Sequence, residues 1–257
     1  MLVLLSCAKT MSAVSKVKVP LTTSPRFQKE AAEIALQMSQ FSVDELERLL
    51  RVNAKIAVEN YKRYQAFHAE ATPELPALLA YTGIVFKRLN PKDFSAEDFG
   101  YAQEHLRLTS FCYGLLRPLD VIRAYRLEGD VVLPELGNQT LFSYWRSRLT
   151  DTFIEDIRSA GGILCNLASD EMKSLFDWKR VESEVRVVTP EFHVWKNGKL
   201  ATILVYTKMS RGEMTRFILK NKIGNPEELK GFSWEGFEFD ESLSDEKKLV
   251  FINGMGE

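Results

Sequence analysis

The chain has 257 residues, of which 45% are hydrophobic and 27% charged, with a net charge of −1 and a pI of about 6.4. These values predict one globular domain spanning residues 1–257, with a substantial core. They exclude a wholly basic nucleic-acid-binding protein, but they allow a local basic face. No stretch approaches the ~20 apolar residues of a membrane span, and the apolar run from Leu2 to Leu5 is too short for a secretion signal.

The first half of the chain predicts one interior strand followed mainly by helices, from apolar periodicity and capping residues. The predicted elements are a strand from Met1 to Ser6, a polar connector from Met11 to Thr23, a helix capped by Ser24 and Pro25 that extends to about Gln40, a long helix from the capping box at Ser42 to Glu45 up to about Phe67, a strand or turn from Tyr81 to Leu89 centred on Gly83, and a helix capped by Ser95.

The second half predicts a mixture of strands and helices. The predicted elements are short pieces from Phe111 to Glu128, a helix from Thr140 to Ser159, a buried strand from Ile163 to Ala168 followed by a short helix capped by Ser169, a hairpin whose arms Phe192 to Trp195 and Leu200 to Tyr206 flank Asn197 and Gly198, a short helix after Asn225, and terminal strands at Phe237 to Phe239 and Leu249 to Ile252. The order predicts an α/β or α+β fold with a mixed central sheet flanked by helices.

Three cysteines, Cys7, Cys112 and Cys165, are far apart in the sequence and lie among apolar residues. Their odd number and wide spacing fit neither a disulfide framework nor a metal site. We therefore expect buried, reduced thiols in a cytoplasmic protein, without a metal or another cofactor.

The stretch from Tyr206 to Phe217 follows a β-branched, apolar run, Ala201 to Val205, and leads into a helical pattern. It predicts a strand, a basic turn and a helix, with Lys208 and Arg211 where the helix begins. A helix start already carries partial positive charge and unpaired N–H groups, so cations are unusual there unless an anion binds. A phosphate-binding turn and a solvated turn that happens to be basic both remain open.

Three predicted strand ends lead into polar turns, at Ala8, Ser169 and Lys208. Ligands of open α/β sheets bind beyond the carboxyl ends of strands. If the three turns are neighbours, they form one cleft. The region from Lys196 to Lys222 would make it basic, because it holds seven Lys or Arg residues and one acid, Glu213.

Six short motifs, in order along almost the whole chain, resemble those of the bacterial YaaA-like family of peroxide-stress-resistance proteins. The motifs are Ser6 to Thr10, Leu106 with Arg107, Tyr113 to Asp120, Tyr125 to Glu128, Asn166 to Ser169 with Glu171, and Lys208 to Gly212 with Arg216 and Phe217. The chain departs from the family pattern at Cys7, where proline is usual, at Phe111, where glycine is usual, and at Ser210, where alanine is usual.

The resemblance implies a cytoplasmic protein that limits oxidative damage by hydrogen peroxide and affects intracellular free iron. It also implies a basic cleft that binds DNA and a helix-hairpin-helix-like element at Leu108 to Leu116, including Tyr113 and Gly114. The residues assigned to DNA or phosphate binding, from the local pattern and from matching positions together, are Lys9, Thr10, Arg117, Arg126, Ser169, Lys208, Ser210, Arg211, Gly212 and Arg216.

Several of these residues have an ordinary alternative role. Lys9 is either a point charge for phosphate or a surface lysine. Arg117 precedes Pro118 and so has extended backbone geometry; its guanidinium either clamps a phosphate or pairs with Asp120 or Glu128. Arg126 has comparable alternatives. Arg216 lies five residues beyond Arg211 and does not share its helical face, so one of the two is a candidate for a structural role.

The main hypothesis is a DNA-binding stress protein without catalytic residues, acting as a monomer away from membranes. It would bind duplex or branched DNA through backbone phosphates, with strong salt dependence and weak sequence selectivity. The alternative is a metal-dependent enzyme acting on a phosphorylated, nucleotide or nucleic-acid substrate, with Mg²⁺ held by Asp120, Glu128, Asp170 and Glu171. We favour ordinary roles for these carboxylates, as ion-pair partners and first-turn helix residues.

Overall fold

Strands and helices are interleaved along the chain in the computed structural model, which describes residues 1–196 and 198–254. The strands are β1 (Leu2–Leu5), β2 (Leu75–Pro76), β3 (Leu106–Ser110), β4 (Gly114–Leu116), β5 (Val121–Ile122), β6 (Val132–Leu133), β7 (Gln139–Thr140), β8 (Ile163–Asn166), β9 (Arg186–Lys196), β10 (Lys199–Ala201), β11 (Phe237–Asp240) and β12 (Lys248–Asn253). The helices are α1 (Gln28–Met38), α2 (Val43–Leu50), α3 (Ala54–Ala66), α4 (Ala77–Ala80), α5 (Ile84–Leu89), α6 (Ala96–His105), α7 (Leu141–Ser159), α8 (Asp170–Lys173), α9 (Trp178–Glu184) and α10 (Leu204–Asn221).

The main sheet is mixed, which confirms the predicted fold class. Its strand order is β11-β12-β9-β8-β1-β3-β4, and β10 pairs with β9 outside this path. The neighbours from β12 to β3 are parallel, whereas β11, β4 and β10 each pair in antiparallel fashion. Every residue of β1 is buried, as is typical of an interior parallel strand covered on both faces. No helix in the described ranges is long and apolar enough to cross a membrane.

Capping residues predicted several helix starts correctly. The Ser42 and Ser95 capping boxes are both formed, and the Thr140 hydroxyl accepts a hydrogen bond from the Ser143 amide at the start of α7. The cap predicted at Ser24 is wrong, because α1 begins at Gln28. Arg26 and Phe27 form a turn between Pro25 and the helix, so the connector continues further than the cap pattern suggested.

Two predicted elements of the first half differ in the structure. The long helix expected up to Phe67 is two helices, because Arg51 ends α2 in the left-handed conformation and Asn53 caps α3. The segment centred on Gly83 is neither a strand nor an isolated turn, since Gly83 is the N-cap of α5. In the first case, the apolar stripe continues from α2 into α3, so periodicity alone did not reveal the break between the two helices.

The basic turn predicted at Lys208 to Gly212 is wrong, because these residues lie inside α10. The β-branched run before them suggested a strand, yet only Ala201 extends the hairpin arm that pairs with β9. The buried face of α10 carries polar residues such as Thr207 and Ser210, so its helical period was hidden. The predicted hairpin is confirmed only where Leu200 pairs with Trp195 and Ala201 with Val194, because the second arm ends at Ala201 and α10 begins at Leu204. Asn197, in its predicted turn, lies outside the described residues.

The segment from Leu108 to Leu116 is a β-hairpin and not the expected helix-hairpin-helix-like element. Its arms are β3 and β4, which pair from Leu108 with Leu116 to Ser110 with Gly114. Gly114 has a φ of 70°, and an added Cβ would lie 2.7 Å from the Trp145 ring. The glycine therefore serves a left-handed turn packed against α7.

Gly212 sets how closely α10 approaches α5. A Cβ at this position would overlap the Val85 carbonyl oxygen and lie 2.8 Å from the Arg88 Cβ atom. Backbone atoms cannot yield cheaply, so only glycine permits this crossing.

We expect Gly212→Ala to lower the free energy of unfolding by about 1–3 kcal/mol, through overpacking between the two helices. Chemical denaturation measures this change. Gly100→Ala is the matched control, because Gly100 lies within α6 and nothing is within 4 Å of the added Cβ; there alanine should stabilise the helix slightly. Equal stability of the two variants would contradict the proposed steric role of Gly212.

Candidate anion-binding site

A cavity of about 330 Å³ lies beyond the carboxyl ends of the parallel strands β1, β8 and β3. This is the edge at which ligands of α/β sheets bind. Its lining residues are Leu5, Ser6, Cys7, Ala8, Lys9, Thr10, Gly83, Ile84, Val85, Phe86, Phe111, Tyr125, Arg126, Leu127, Leu167, Ser169, Glu171, Met172, Lys208 and Arg211. The segments after β1 and β8 and the side chains of α10 thus meet at one place, as the three-turn pattern predicted, although Lys208 reaches it from within a helix.

Hydrogen bonds hold the strand ends together at the cavity. The Ser169 amide donates to the Ser6 Oγ atom at 2.8 Å, which joins the ends of β8 and β1. The Cys7 amide donates to the Thr109 Oγ1 atom at 3.2 Å, which joins the ends of β1 and β3. Ser169 therefore ties two strands together and does not cap α8 with its side chain.

Basic side chains reach the cavity from three separate parts of the chain. Lys9 follows β1, Arg126 lies in the loop after β5, and Lys208 and Arg211 come from α10. Lys208 and Arg211 are three residues apart and so share one face of the helix. Against these four cations, the lining contains one carboxylate, Glu171.

Glu128 lies behind the cavity wall and holds two of the cations. Its Oε2 atom is 2.7 Å from the Lys9 Nζ atom, and its Oε1 atom is 3.8 Å from an Arg126 Nη atom. The Glu128 side chain is 4% exposed, whereas that of Lys9 is 58% exposed. Glu128 thus keeps part of the positive charge in place while the Lys9 ammonium group remains accessible.

Both arginines in the cavity lining have a buried N–H donor without an acceptor. Among the described residues, the Nε atoms of Arg126 and Arg211 contact no hydrogen-bond partner. Burial lowers the pKa of Arg211, an effect that the nearby Asp170 partly opposes. A buried, unpaired donor on a cationic group is energetically costly. An anion bound in the cavity would remove that cost.

Six of the ten predicted phosphate ligands line this cavity. The six are Lys9, Thr10, Arg126, Ser169, Lys208 and Arg211. Ser210 and Gly212 are buried in α10, where Gly212 packs on α5. Tyr113 and Gly114 lie in the β3–β4 hairpin, and the Tyr113 hydroxyl accepts a hydrogen bond from the Arg123 amide.

Arg117 and Arg216 are held elsewhere by carboxylates. The Arg117 Nη2 atom lies 2.9 Å from an oxygen of Asp120, a buried carboxylate that also accepts from the Arg117 amide. Arg216 donates to Asp93 at 2.8 Å and to the Asn90 carbonyl oxygen at 2.9 Å. These contacts anchor loops, which is the structural alternative considered for both residues.

Sequence reasoning did not assign Ser6 or the start of α5 to the site. Ser6 lies within the first family motif, but only the structure places its hydroxyl against Ser169. Gly83 lines the cavity next to Ala8. The two residues approach closely, because a Cβ added at Gly83 would lie 2.8 Å from the Ala8 Cβ atom. A lone glycine before an apolar run was the available signal for this close approach.

The four carboxylates of the enzyme hypothesis do not converge. Asp120 pairs with Arg117, Asp170 pairs with Lys173, and Glu128 pairs with Lys9. Within residues 1–196 and 198–254, no group of three or more His, Cys, Asp or Glu side chains is arranged to hold a metal ion.

Cys7 contributes to the cavity wall, but its thiol is not activated. Burial raises the pKa of Cys7 to about 12, and burial raises the pKa of Cys165 to about 12 as well. Burial also raises the pKa of Cys112. Because the thiolate is the reactive form, all three side chains should be poor nucleophiles at neutral pH.

We expect alkylation of the native protein by iodoacetamide near pH 8 to be at least about a hundredfold slower than alkylation in denaturant, since burial suppresses the thiolate. Intact-mass spectrometry over time measures the rate, and Cys7→Ser assigns any early adduct. Rapid native labelling that disappears in Cys7→Ser would show that Cys7 is activated.

The comparisons with known proteins agree along the whole chain. A family model described as "Peroxide stress protein YaaA" matches residues 1–243. The chain is 98% identical to a UPF0246 protein of Bacteroides thetaiotaomicron and 78% identical to one of Bacteroides fragilis, each over the full length of both chains. It is 62% identical to a UPF0246 protein of Phocaeicola vulgatus over 98% of both chains. The chain therefore belongs to the peroxide stress protein YaaA family.

Proposed function

We propose that this protein binds DNA during the peroxide stress response and that the cavity at the sheet edge binds backbone phosphate. The observation that carries the proposal is the pair of cavity arginines, Arg126 and Arg211, whose buried Nε–H groups have no acceptor among the described residues. Lys9 and Lys208 add positive charge at the same place.

Phosphate suits this arrangement better than a halide. A guanidinium group presents its N–H donors in a fixed fork that matches the oxygens of a phosphate, and lysine adds a mobile point charge. Buried apolar residues such as Phe86, Phe111 and Met172 form part of the cavity wall, so electrostatic interactions beside them are less screened than at an open surface. These contacts carry no base information, and the expected binding is salt-dependent and weakly sequence-selective.

The double variant Arg126→Gln/Arg211→Gln should bind DNA at least about tenfold more weakly, since each charge-assisted hydrogen bond contributes about 1.5–3 kcal/mol. Fluorescence anisotropy with labelled duplex and branched DNA, at about 50 and 200 mM salt, measures the affinity. The wild-type affinity should fall steeply between the two salt concentrations.

Arg48→Gln/Arg186→Gln is the matched control, because both arginines are exposed and neither forms an ion pair within the described residues. It removes the same charge without touching the cavity. If both double variants lose the same DNA affinity, the loss is due to net charge and not to the cavity. No DNA binding by the wild type at low salt would overturn the proposal.

Glu128→Gln tests the balance of charge in the same site. The substitution preserves shape but releases Lys9 and Arg126 from their carboxylate, so DNA binding at low salt should strengthen by about threefold to tenfold. Glu135→Gln, at an exposed site, is the control. Weaker binding by Glu128→Gln alone would mean that Glu128 is needed to position the cations.

We further propose that DNA binding is connected with limiting intracellular free iron under peroxide, as the family resemblance implies. Chelatable iron measured by electron paramagnetic resonance in a deletion strain should return to the parental level with the wild-type gene. The gene for Arg126→Gln/Arg211→Gln should not restore it. Restoration by both genes would separate the effect on iron from the cavity.

A further inference from the structure

A second, larger groove lies beside the cavity. Its volume is about 940 Å³, and it runs between the connector after β1 and the segment that contains α4 and α5. Its lining residues are Ser12, Val14, Ser15, Lys16, Val17, Lys18, Leu78, Leu79, Tyr81, Thr82, Phe86, Lys87, Asn90, Pro91, Lys92 and Phe94.

The groove is basic and free of opposing charge. It is lined by four exposed lysines, Lys16, Lys18, Lys87 and Lys92, and by no carboxylate. Within the described part of the chain, none of the four forms an ion pair, although many other basic residues do. Four uncompensated cations in one concave surface attract a polyanion rather than a single small ion.

The groove and the cavity lie on two sides of a shared wall, which includes Phe86. Phe86 lines both, and α5 joins them, because Gly83 faces the cavity and Lys87, about 6 Å further along the helix axis, faces the groove. The chain segment that separates them is fixed by backbone hydrogen bonds from Thr82 to Thr10 and from Ser12 to Ala80.

We propose that the lysine groove binds the phosphodiester backbone of a single DNA strand whose neighbouring phosphate lies in the cavity. This inference rests on the proposed function. Volumes of about 330 and 940 Å³ are those of small-molecule pockets. A single strand can lie within spaces of this size, whereas a duplex can only lie across them. A basic groove that follows the backbone is the usual mode of single-strand binding.

The division of cation types fits this arrangement. The cavity uses arginines with buried donors, which bind one phosphate with fixed geometry. The groove uses exposed lysines, which are mobile and adjust to a flexible backbone. A branched DNA exposes single-stranded segments, so the same surface would favour branch points over continuous duplex.

The test compares two quadruple variants by anisotropy with a labelled twelve-nucleotide oligothymidylate and a 5′-phosphorylated dithymidylate. The groove variant is Lys16→Gln/Lys18→Gln/Lys87→Gln/Lys92→Gln. The control is Lys29→Gln/Lys55→Gln/Lys62→Gln/Lys179→Gln, which removes four exposed lysines that lie outside both the groove and the cavity. Circular dichroism verifies that both are folded.

The groove variant should bind the long oligonucleotide at least about tenfold more weakly than the control. The slope of log affinity against log salt should fall by about 3, since each lost phosphate contact on a single strand contributes about 0.7. Binding of the dithymidylate, whose 5′-phosphate can reach the cavity but which is too short to follow the groove, should be equal in both variants.

Equal binding of the long oligonucleotide by both variants would overturn the groove inference and leave the cavity proposal intact. No binding of any DNA by the wild type would overturn both. Binding to phosphatidylglycerol vesicles that depends on the four lysines, without a change for the long oligonucleotide, would assign the groove to a membrane surface instead.

Discussion

The parallel pairing of β1 with β3 on one side and β8 on the other is the constraint on which the rest of the structure depends. It brings the carboxyl ends of three strands to one edge of the sheet, although they are far apart in the sequence. The hydrogen bond between the Ser169 amide and Ser6 closes this edge. Because every residue of β1 is buried, a shift in register would disrupt close packing on both faces of the sheet.

The fourth side of the cavity comes from a helix and not from a strand end. Gly212 allows α10 to pack against the backbone of α5, and this crossing directs Lys208 and Arg211 into the space that the strand ends leave. Arg211 is therefore a half-buried side chain on a rigid helix, and Lys208 beside it is exposed. Glu128 behind the wall offsets the charge of the other two cavity cations, Lys9 and Arg126, and a chain with a net charge of −1 thus maintains a basic cavity.

The basic side chains of the molecule have either a structural role or an accessible charge. Arg117 and Arg216 fasten loops to carboxylates. The cavity arginines and the groove lysines instead have donors or charges without protein partners in the described residues. The accessible cations therefore lie in the cavity and in the groove, which share Phe86 of α5.

Apolar periodicity and capping residues determined much of the fold from the sequence alone, including β1, the capping boxes at Ser42 and Ser95, and α7 from its cap at Thr140. These signals are local, because hydrogen bonds of a cap and burial of one face depend on neighbouring residues. The sequence also identified Lys9, Arg126, Lys208 and Arg211 as candidates. Only the tertiary structure separated them from Arg117 and Arg216, since the carboxylate that an arginine meets is decided by packing. It likewise replaced the expected turn at Lys208 with α10, because contact with α5 stabilises a helix whose buried face is too polar to be recognised by its pattern.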